Sequence, residues 1–390
     1  MTIERHVLLI PGFFGFANLG DFAYWGPVQK TLTRLLGESG ASTTIHCVKT
    51  LPTASLCARA ERVLDTIASI APGPDTHIHL IGHSTGGLDA RLLLTPAVAL
   101  DTALDCEALV RSVRSVVSIS TPHHGAPIAA FFTSLLGLEF LRLLSAVTML
   151  TLRVGSVPLS ALAEVTALLA VPDKLVGNVT AKLGGALAGQ LYEQLLGNFD
   201  EQRRDQVTEL LEDVKRDQSL LAQLAPEPMD VFNAAAGNRP GVRYGSVVTM
   251  ARRPGMDTLR ESGINASQQI QHALYFGLYH LAAGYRYPAP GRQYGEAMRG
   301  VFGEVPNADA NDGIVPTLSQ PWGTPIAAAV ADHLDIIGHY AGEDPADPHY
   351  DWLTTQSHFD TDGFENVWQR VTSFLRDAEA GAESYARAAT

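Results

Sequence analysis

The chain has 390 residues, 46% of them hydrophobic and 18% charged, with a net charge of −13 at neutral pH. That much apolar material supplies a packed core and excludes a disordered chain. The acidic balance lacks the basic footprint of a nucleic-acid binder and suits an enzyme acting on a neutral substrate.

The first apolar run, Val7-Leu8-Leu9-Ile10 ahead of Pro11, reads as a buried strand. It is too short for the core of a secretory leader and no small-residue cleavage site follows. At face value this gives a cytoplasmic expectation, or a secreted one if a leader has been trimmed. Candidate strands occupy 6–10, 43–48, 77–81 and 113–120, and helical patterns fill 27–36, 55–70 and 84–94. Such alternation predicts βαβ units: a mostly parallel sheet with helices on both faces. From 126 to 228 the pattern turns helical, with no convincing strand. This block divides the expected core, 1–125 and 229–390, as a lid or cap, or else as a helical layer of the core itself. Its most apolar part, 131–152, carries Glu139 and Arg142 and is broken by Gly137, so it reads as an amphipathic helical pair and not as a membrane span. Strand character returns at 242–249. A helical stretch at 266–283, a last strand at 326–331 and a helix at 364–378 follow, and 380–390 is expected to fray. The three cysteines, Cys47, Cys57 and Cys106, form neither a disulfide framework nor a zinc pattern, though one disulfide with one free thiol stays open.

Gly82-His83-Ser84-Thr85-Gly86-Gly87 falls between a strand and a helix. This is the context in which a serine on a sharp, strained turn is lifted above a sheet as a nucleophile. A tetrahedral intermediate at Ser84 needs two backbone donors. Thr85, after the serine, supplies one. The loop Pro11-Gly12-Phe13-Phe14 after the first strand supplies the other, through the N–H of Phe13.

A serine hydroxyl needs a base, and the base needs a carboxylate to fix its tautomer. In this fold the acid and then the histidine follow the serine along the chain. Asp312, in Asn311-Asp312-Gly313-Ile314-Val315-Pro316, is the candidate acid, with Asp309 competing. His333 directly follows the last strand, at the carboxyl end where ligands meet open α/β sheets, so it is the candidate base. His339, His349 and His358 compete. His83, inside the elbow, suits packing or hydrogen bonding more than catalysis. Candidate substrate-contacting residues are Phe14, His83 and, in the helical block, Phe131, Phe132 and Leu135. Apolar helices that move would suit long acyl chains and a transient contact with a lipid interface.

Six motifs in this order resemble the true bacterial lipases, secreted triacylglycerol lipases with an α/β-hydrolase core. They are Leu9-Ile10-Pro11-Gly12-Phe13, Tyr24-Trp25-Gly26, the elbow, Ser120-Thr121-Pro122-His123-His124-Gly125, Asn311-Asp312-Gly313 with Val315-Pro316, and His333-Leu334-Asp335. The resemblance covers the sheet-forming parts and is weak across 126–228. It implies Ser84 as nucleophile, Asp312 as acid, His333 as base, and Phe13 and Thr85 as oxyanion donors. It also implies a structural calcium ion steadying the histidine loop. Asp335 fits one ligand position and His339 stands where some members carry a glutamine ligand, while a second acidic ligand has no evident counterpart. The residues themselves call for no other cofactor. A lipase, a carboxylesterase, a polyester depolymerase and an acyltransferase share this chemistry. A non-catalytic interaction protein retaining the fold is the reading from another class.

Overall fold

The computed structural model describes residues 3–13, 24–37, 42–154, 159–169, 216–342 and 353–388, with isolated residues between them, Asp351 included. The apolar runs become strands β1 (Glu4–Ile10), β2 (Ser42–Cys47), β3 (Thr76–His83), β4 (Val113–Ile119), β5 (Arg243–Met250) and β6 (Thr324–Val330). All pair in parallel, in the order β2-β1-β3-β4-β5-β6. A parallel sheet is covered on both faces, which is why its central strands read as continuous apolar runs. Every residue of β3 is buried. Among its polar members, His79 bonds Ser115 through Nδ1 (2.8 Å) and Glu379 through Nε2 (3.1 Å), and His77 Nδ1 faces the same carboxylate at 3.9 Å.

The crossovers carry α1 (Gly26–Gly37), α2 (Leu56–Ile70), α3 (Gly86–Leu93) and the short α4 (Cys106–Val110). Val28, Leu32, Leu35 and Leu36 lie on one helical face of α1 and are buried, each worth about 1.5–3 kcal/mol when removed from water. Ser55 caps α2, its Oγ accepting from the Ala58 N–H at 3.3 Å, a contact worth about 1 kcal/mol. From β1 the sheet grows one way to β2 and the other way through β3 to β6. The carboxyl ends of β1 and β3 therefore flank the switch point where open α/β sheets form a crevice. This arrangement, with a serine elbow after β3, is the α/β-hydrolase fold.

The described part of 126–228 is helical: α5 (Ile128–Phe132), α6 (Leu135–Val154), α7 (Leu159–Leu169), α8 (Ser219–Gln223) and the start of α9 (Pro226–Ala235), which runs across the expected boundary at 228. Phe140, Leu141, Leu144, Leu162 and Leu220 belong to the same apolar core as the sheet. No helix among the described residues is long and apolar enough to cross a membrane.

After β5 come α10 (Met256–Glu261), α11 (Ala266–Ala282) and α12 (Arg292–Phe302); after β6 comes α13 (Thr361–Ala388). The expected fraying from 380 is not what the backbone does, because α13 continues to Ala388. Four of the nine residues from 380 to 388 are alanine, the best helix former. Glu379 also pins it to β1 through a two-pronged bond from Arg5 (2.8 and 2.6 Å). The three cysteines are free thiols.

Candidate active site

Ser84 stands between β3 and α3 with φ of +54°. For a residue with a Cβ this left-handed conformation costs on the order of 1–3 kcal/mol and must be held by its surroundings. The hold is visible: the Ser84 N–H donates to Ile119 O on β4 (2.8 Å), and Ser84 O accepts from the Gly87 N–H (3.2 Å). A Cβ on Gly82 would lie 2.3 Å from the Gly86 backbone, so the elbow closes only with glycine there. A Cβ on Gly12 would lie 2.5 Å from the Ser84 Cβ. The loop after β1 is therefore in direct contact with the serine, and Phe13, next along it, is buried beside the elbow. Thr85 occupies the position ahead of α3. Phe14 lies outside the described residues.

On the other side of the crevice, His333 follows β6. Its Nδ1 lies 2.9 Å from Asp312 Oδ2, and its backbone N–H donates to Asp312 O (3.0 Å). Asp312 is wholly buried, and its carboxylate is saturated with donors. Oδ1 accepts from the Ile314 and Val315 N–H groups (3.1 and 2.7 Å), as the Asn-Asp-Gly turn folds back on itself. Oδ2 accepts from Thr249 Oγ1 (2.8 Å) and Gln320 Nε2 (3.4 Å) as well as from His333. A carboxylate facing Nδ1 puts the ring proton there and leaves Nε2 as a proton acceptor. Of the competing candidates, Asp309 is half-buried, with Arg253 3.9 Å away. His358 is exposed against Arg252 and Glu261. His339 is buried with Nε2 on Tyr24 O (3.0 Å), and His349 lies outside the described residues.

His83 links the two sides. It is fully buried, its Nε2 bonds His333 O (2.8 Å), its Nδ1 meets Tyr24 OH (2.5 Å), and its ring lies 4.6 Å from that of His333. Burial, then the adjacent His333, holds its pKa well below the ordinary 6.5. A neutral ring donating from Nε2 accepts the tyrosine proton at Nδ1. Both nitrogens face inward, so His83 sits beneath the site and not on a substrate-facing wall. Ser84 and His333 are close neighbours through His83 without being hydrogen-bonded to each other.

Composition and spacing did not point to Thr249 or Gln320, which position Asp312. They also did not point to Arg59, on α2 and fully buried. Its Nη2 donates to Pro11 O (2.9 Å) in the loop after β1, to Thr85 Oγ1 (3.3 Å) at the elbow, and to Asp89 Oδ2 (2.7 Å) on α3. Burial pushes Asp89 up to about 6, against the pull of Arg59.

A carboxylate group adjoins the histidine loop. Asp332, Asp335 and Asp351 offer oxygens that all lie within 4.8 Å of one another. Asp332 Oδ1 accepts from the Leu334 and Asp335 N–H groups (2.8 and 2.9 Å), while its Oδ2 is buried without a partner. Burial, reinforced by the neighbouring carboxylates, pushes Asp332 up to about 7 and raises Asp335 and Asp351 well above the ordinary range. Clustered hard oxygens with an orphaned carboxylate atom fit a divalent cation of the calcium type. Asp335 is in this set as expected; His339 is not, since its ring is turned to Tyr24.

An apolar cluster adjoins the loop after β1. The rings of Phe13 and Phe132 stack at 6.4 Å, Phe132 stacks on Phe140 at the same separation, and Phe131 is half-buried beside both. The side chain of Leu135 lies outside the described set. Ser84 is 5% exposed and His333 1%.

No protein-family profile matches the chain, and no curated protein does. Solved structures similar to it include EstA from Clostridium botulinum (17% identity, 94% of this chain and 87% of that one, TM-score 0.47). They also include the metagenomic carboxyl esterase MGS0156 (14%, 97% and 77%, TM-score 0.46) and the Staphylococcus hyicus lipase (15%, 97% and 96%, TM-score 0.46). The fold itself is defined by the strand order and the elbow, independently of these neighbours.

Proposed function

We propose that the protein is a serine carboxylic-ester hydrolase acting on apolar acyl esters, of the lipase type. The observation that carries this reading is the buried Asp312–His333 pair at 2.9 Å, set beside a serine held at φ +54°. His333 Nε2 takes the Ser84 proton as Oγ attacks the ester carbonyl. The N–H groups of Phe13 and Thr85 stabilise the oxyanion. The intermediate collapses, the C–O bond to the alcohol breaks, and His333 protonates the leaving alcohol. Water then attacks the acyl-enzyme as His333 takes its proton, and the acid departs as Ser84 regains its own. The Ser84–His333 hydrogen bond forms on substrate binding, since such contacts are commonly long in ligand-free enzymes.

The preference for apolar acyl groups is supported by Phe13, next to the Gly12 that abuts the serine, and by the Phe132 and Phe131 rings packed onto it. A nucleophile only 5% exposed must be uncovered before an ester can reach it, and the helices from Ile128 onward are the cover that would move. A calcium ion held by Asp332, Asp335 and Asp351 would neutralise that cluster and stiffen the loop carrying His333.

A fluorophosphonate probe should label Ser84, and Ser84→Ala should lower kcat on p-nitrophenyl esters by at least about a thousandfold. Labelling that persists in Ser84→Ala refutes the nucleophile. Equal rates on dissolved short-chain and emulsified long-chain esters refute the lipase assignment and leave an esterase.

A further inference from the structure

We infer that a second copy of this chain docks along the outer edge of β6, extending the sheet across a two-fold axis. Among the described residues β6 pairs only with β5, so its far side is a bare edge. The Ala331 N–H donates to Met250 O on β5 (3.1 Å). By the alternation of a strand, Ala328 and Val330 turn their N–H and C=O groups the other way, while Ile326 is the extra residue where the register slips against β5. These three are half-buried, whereas Ala327 and Ala329 between them are buried. A groove of about 710 Å³ follows this edge, and residues 325 to 330 all line it. Consecutive residues face opposite sides of a sheet, so a groove touched by every one of them runs along the edge and not over a face.

The strand guards this edge only at its start, with Pro325 and the bulge at Ile326. It carries no charged side chain, and its middle is three alanines, which shield the backbone little. Edges left this way pair with another strand unless they are blocked. Pro325 and the bulge at Ile326 lie outside the ladder that Ala327 to Val330 can form.

Self-pairing is favoured because the groove's wall is complementary to itself. α13 contributes Asp362, Asn366 and Arg370, which lie one helical turn apart along one stripe. The stripe is symmetric about Asn366, with a negative end and a positive end. In an antiparallel β6–β6 pair, the two-fold axis sets α13 against α13 in opposite directions. Asp362 of each copy then meets Arg370 of the other, and an isologous contact needs this kind of match. The wall contributed by α12 is Ala297, Gly300 and the exposed Val301, small enough for close approach. A dyad at Ala328 sets its outward N–H and C=O against those of its copy.

Sedimentation velocity on the purified full chain over a concentration series tests this. The wild type should run as a dimer. Arg370→Asp, which sets like charges against each other, should raise the dissociation constant at least about tenfold. Asp362→Arg combined with Arg370→Asp should restore the dimer. Ala328→Pro, which removes an outward N–H at an edge where proline is tolerated, should give monomers. If circular dichroism shows that this last variant misfolds, the charge exchange decides. A wild type that stays monomeric overturns the proposal, as does a dimer indifferent to charge reversal. A dimer weakened by Arg370→Asp but not rescued by the exchange overturns it too.

Discussion

His83 has its two ring nitrogens committed in opposite directions, to Tyr24 OH and to His333 O. The elbow that sets Ser84 thus also fixes the backbone of the proposed base, through a neutral imidazole that burial keeps uncharged. Removing the tyrosine hydroxyl leaves Nδ1 buried without a donor, which costs about 1–3 kcal/mol. Tyr24→Phe should lower stability by that amount in a denaturant titration. It should also lower kcat by up to about a hundredfold with KM little changed, because the misplaced group acts on the transition state and not on substrate binding. An unchanged kcat would show that His333 is held without this chain of bonds. Ser84, Asp312 and His333 were legible in the sequence because each sits in a local motif at a strand end. Thr249 and Gln320, which complete the donors around Asp312, were not. A single threonine in a strand and a single glutamine in a turn carry no signature until the chain folds them together.

At the level of elements, the proposed oxyanion loop after β1 and the elbow belong to different βα units and need something to fix their spacing. Arg59 does so from a third, since α2 delivers one guanidinium to Pro11 O, to Thr85 Oγ1 and to Asp89 on α3. Pairing and hydrogen bonds offset the desolvation of this buried charge only while every partner is present. Arg59→Met should therefore destabilise by about 3–5 kcal/mol, since it strands Asp89. Arg59→Met with Asp89→Leu should recover most of the stability and not the activity, because Pro11 O and Thr85 remain unheld. Thermal melts read beside ester hydrolysis separate the two effects; recovery of both would reduce Arg59 to a packing residue. The strands and crossover helices were legible as apolar runs and helical stripes. The Arg59–Asp89 pair was not, because its members lie on separate helices with no local pattern joining them. The full length of α13 was hidden for a similar reason: 380–390 looks like a fraying tail until Glu379 is seen bonded to Arg5 at the opposite end of the chain.

On the scale of the whole molecule, the carboxylates beside the histidine loop join distant segments. Asp332 and Asp335 follow β6, whereas Asp351 comes from beyond the next loop, and only the fold brings it within reach. This is why Asp335 could be read as a ligand from the sequence while its acidic partners could not. Packed together, with burial raising all three, these carboxyls favour the fold in their protonated form. A carboxyl whose folded-state pKa is raised favours the fold while it is protonated. That contribution is complete below its ordinary value of 3.8 and is lost as pH rises through the raised value, about 7 for Asp332. A bound cation removes the penalty at the upper end of that range. Calcium at about a hundredfold excess over its dissociation constant contributes about 2.7 kcal/mol. For a chain of 390 residues that corresponds to a Tm change of roughly 3 °C. Chelation should thus lower Tm by that amount at pH 8 and by clearly less at pH 5, where the cluster carries its own protons. Asp351→Asn should abolish the calcium response while leaving the fold intact at pH 5. Scanning calorimetry with and without chelator checks both, and a Tm that ignores calcium at pH 8 would mean the cluster is held by protons alone.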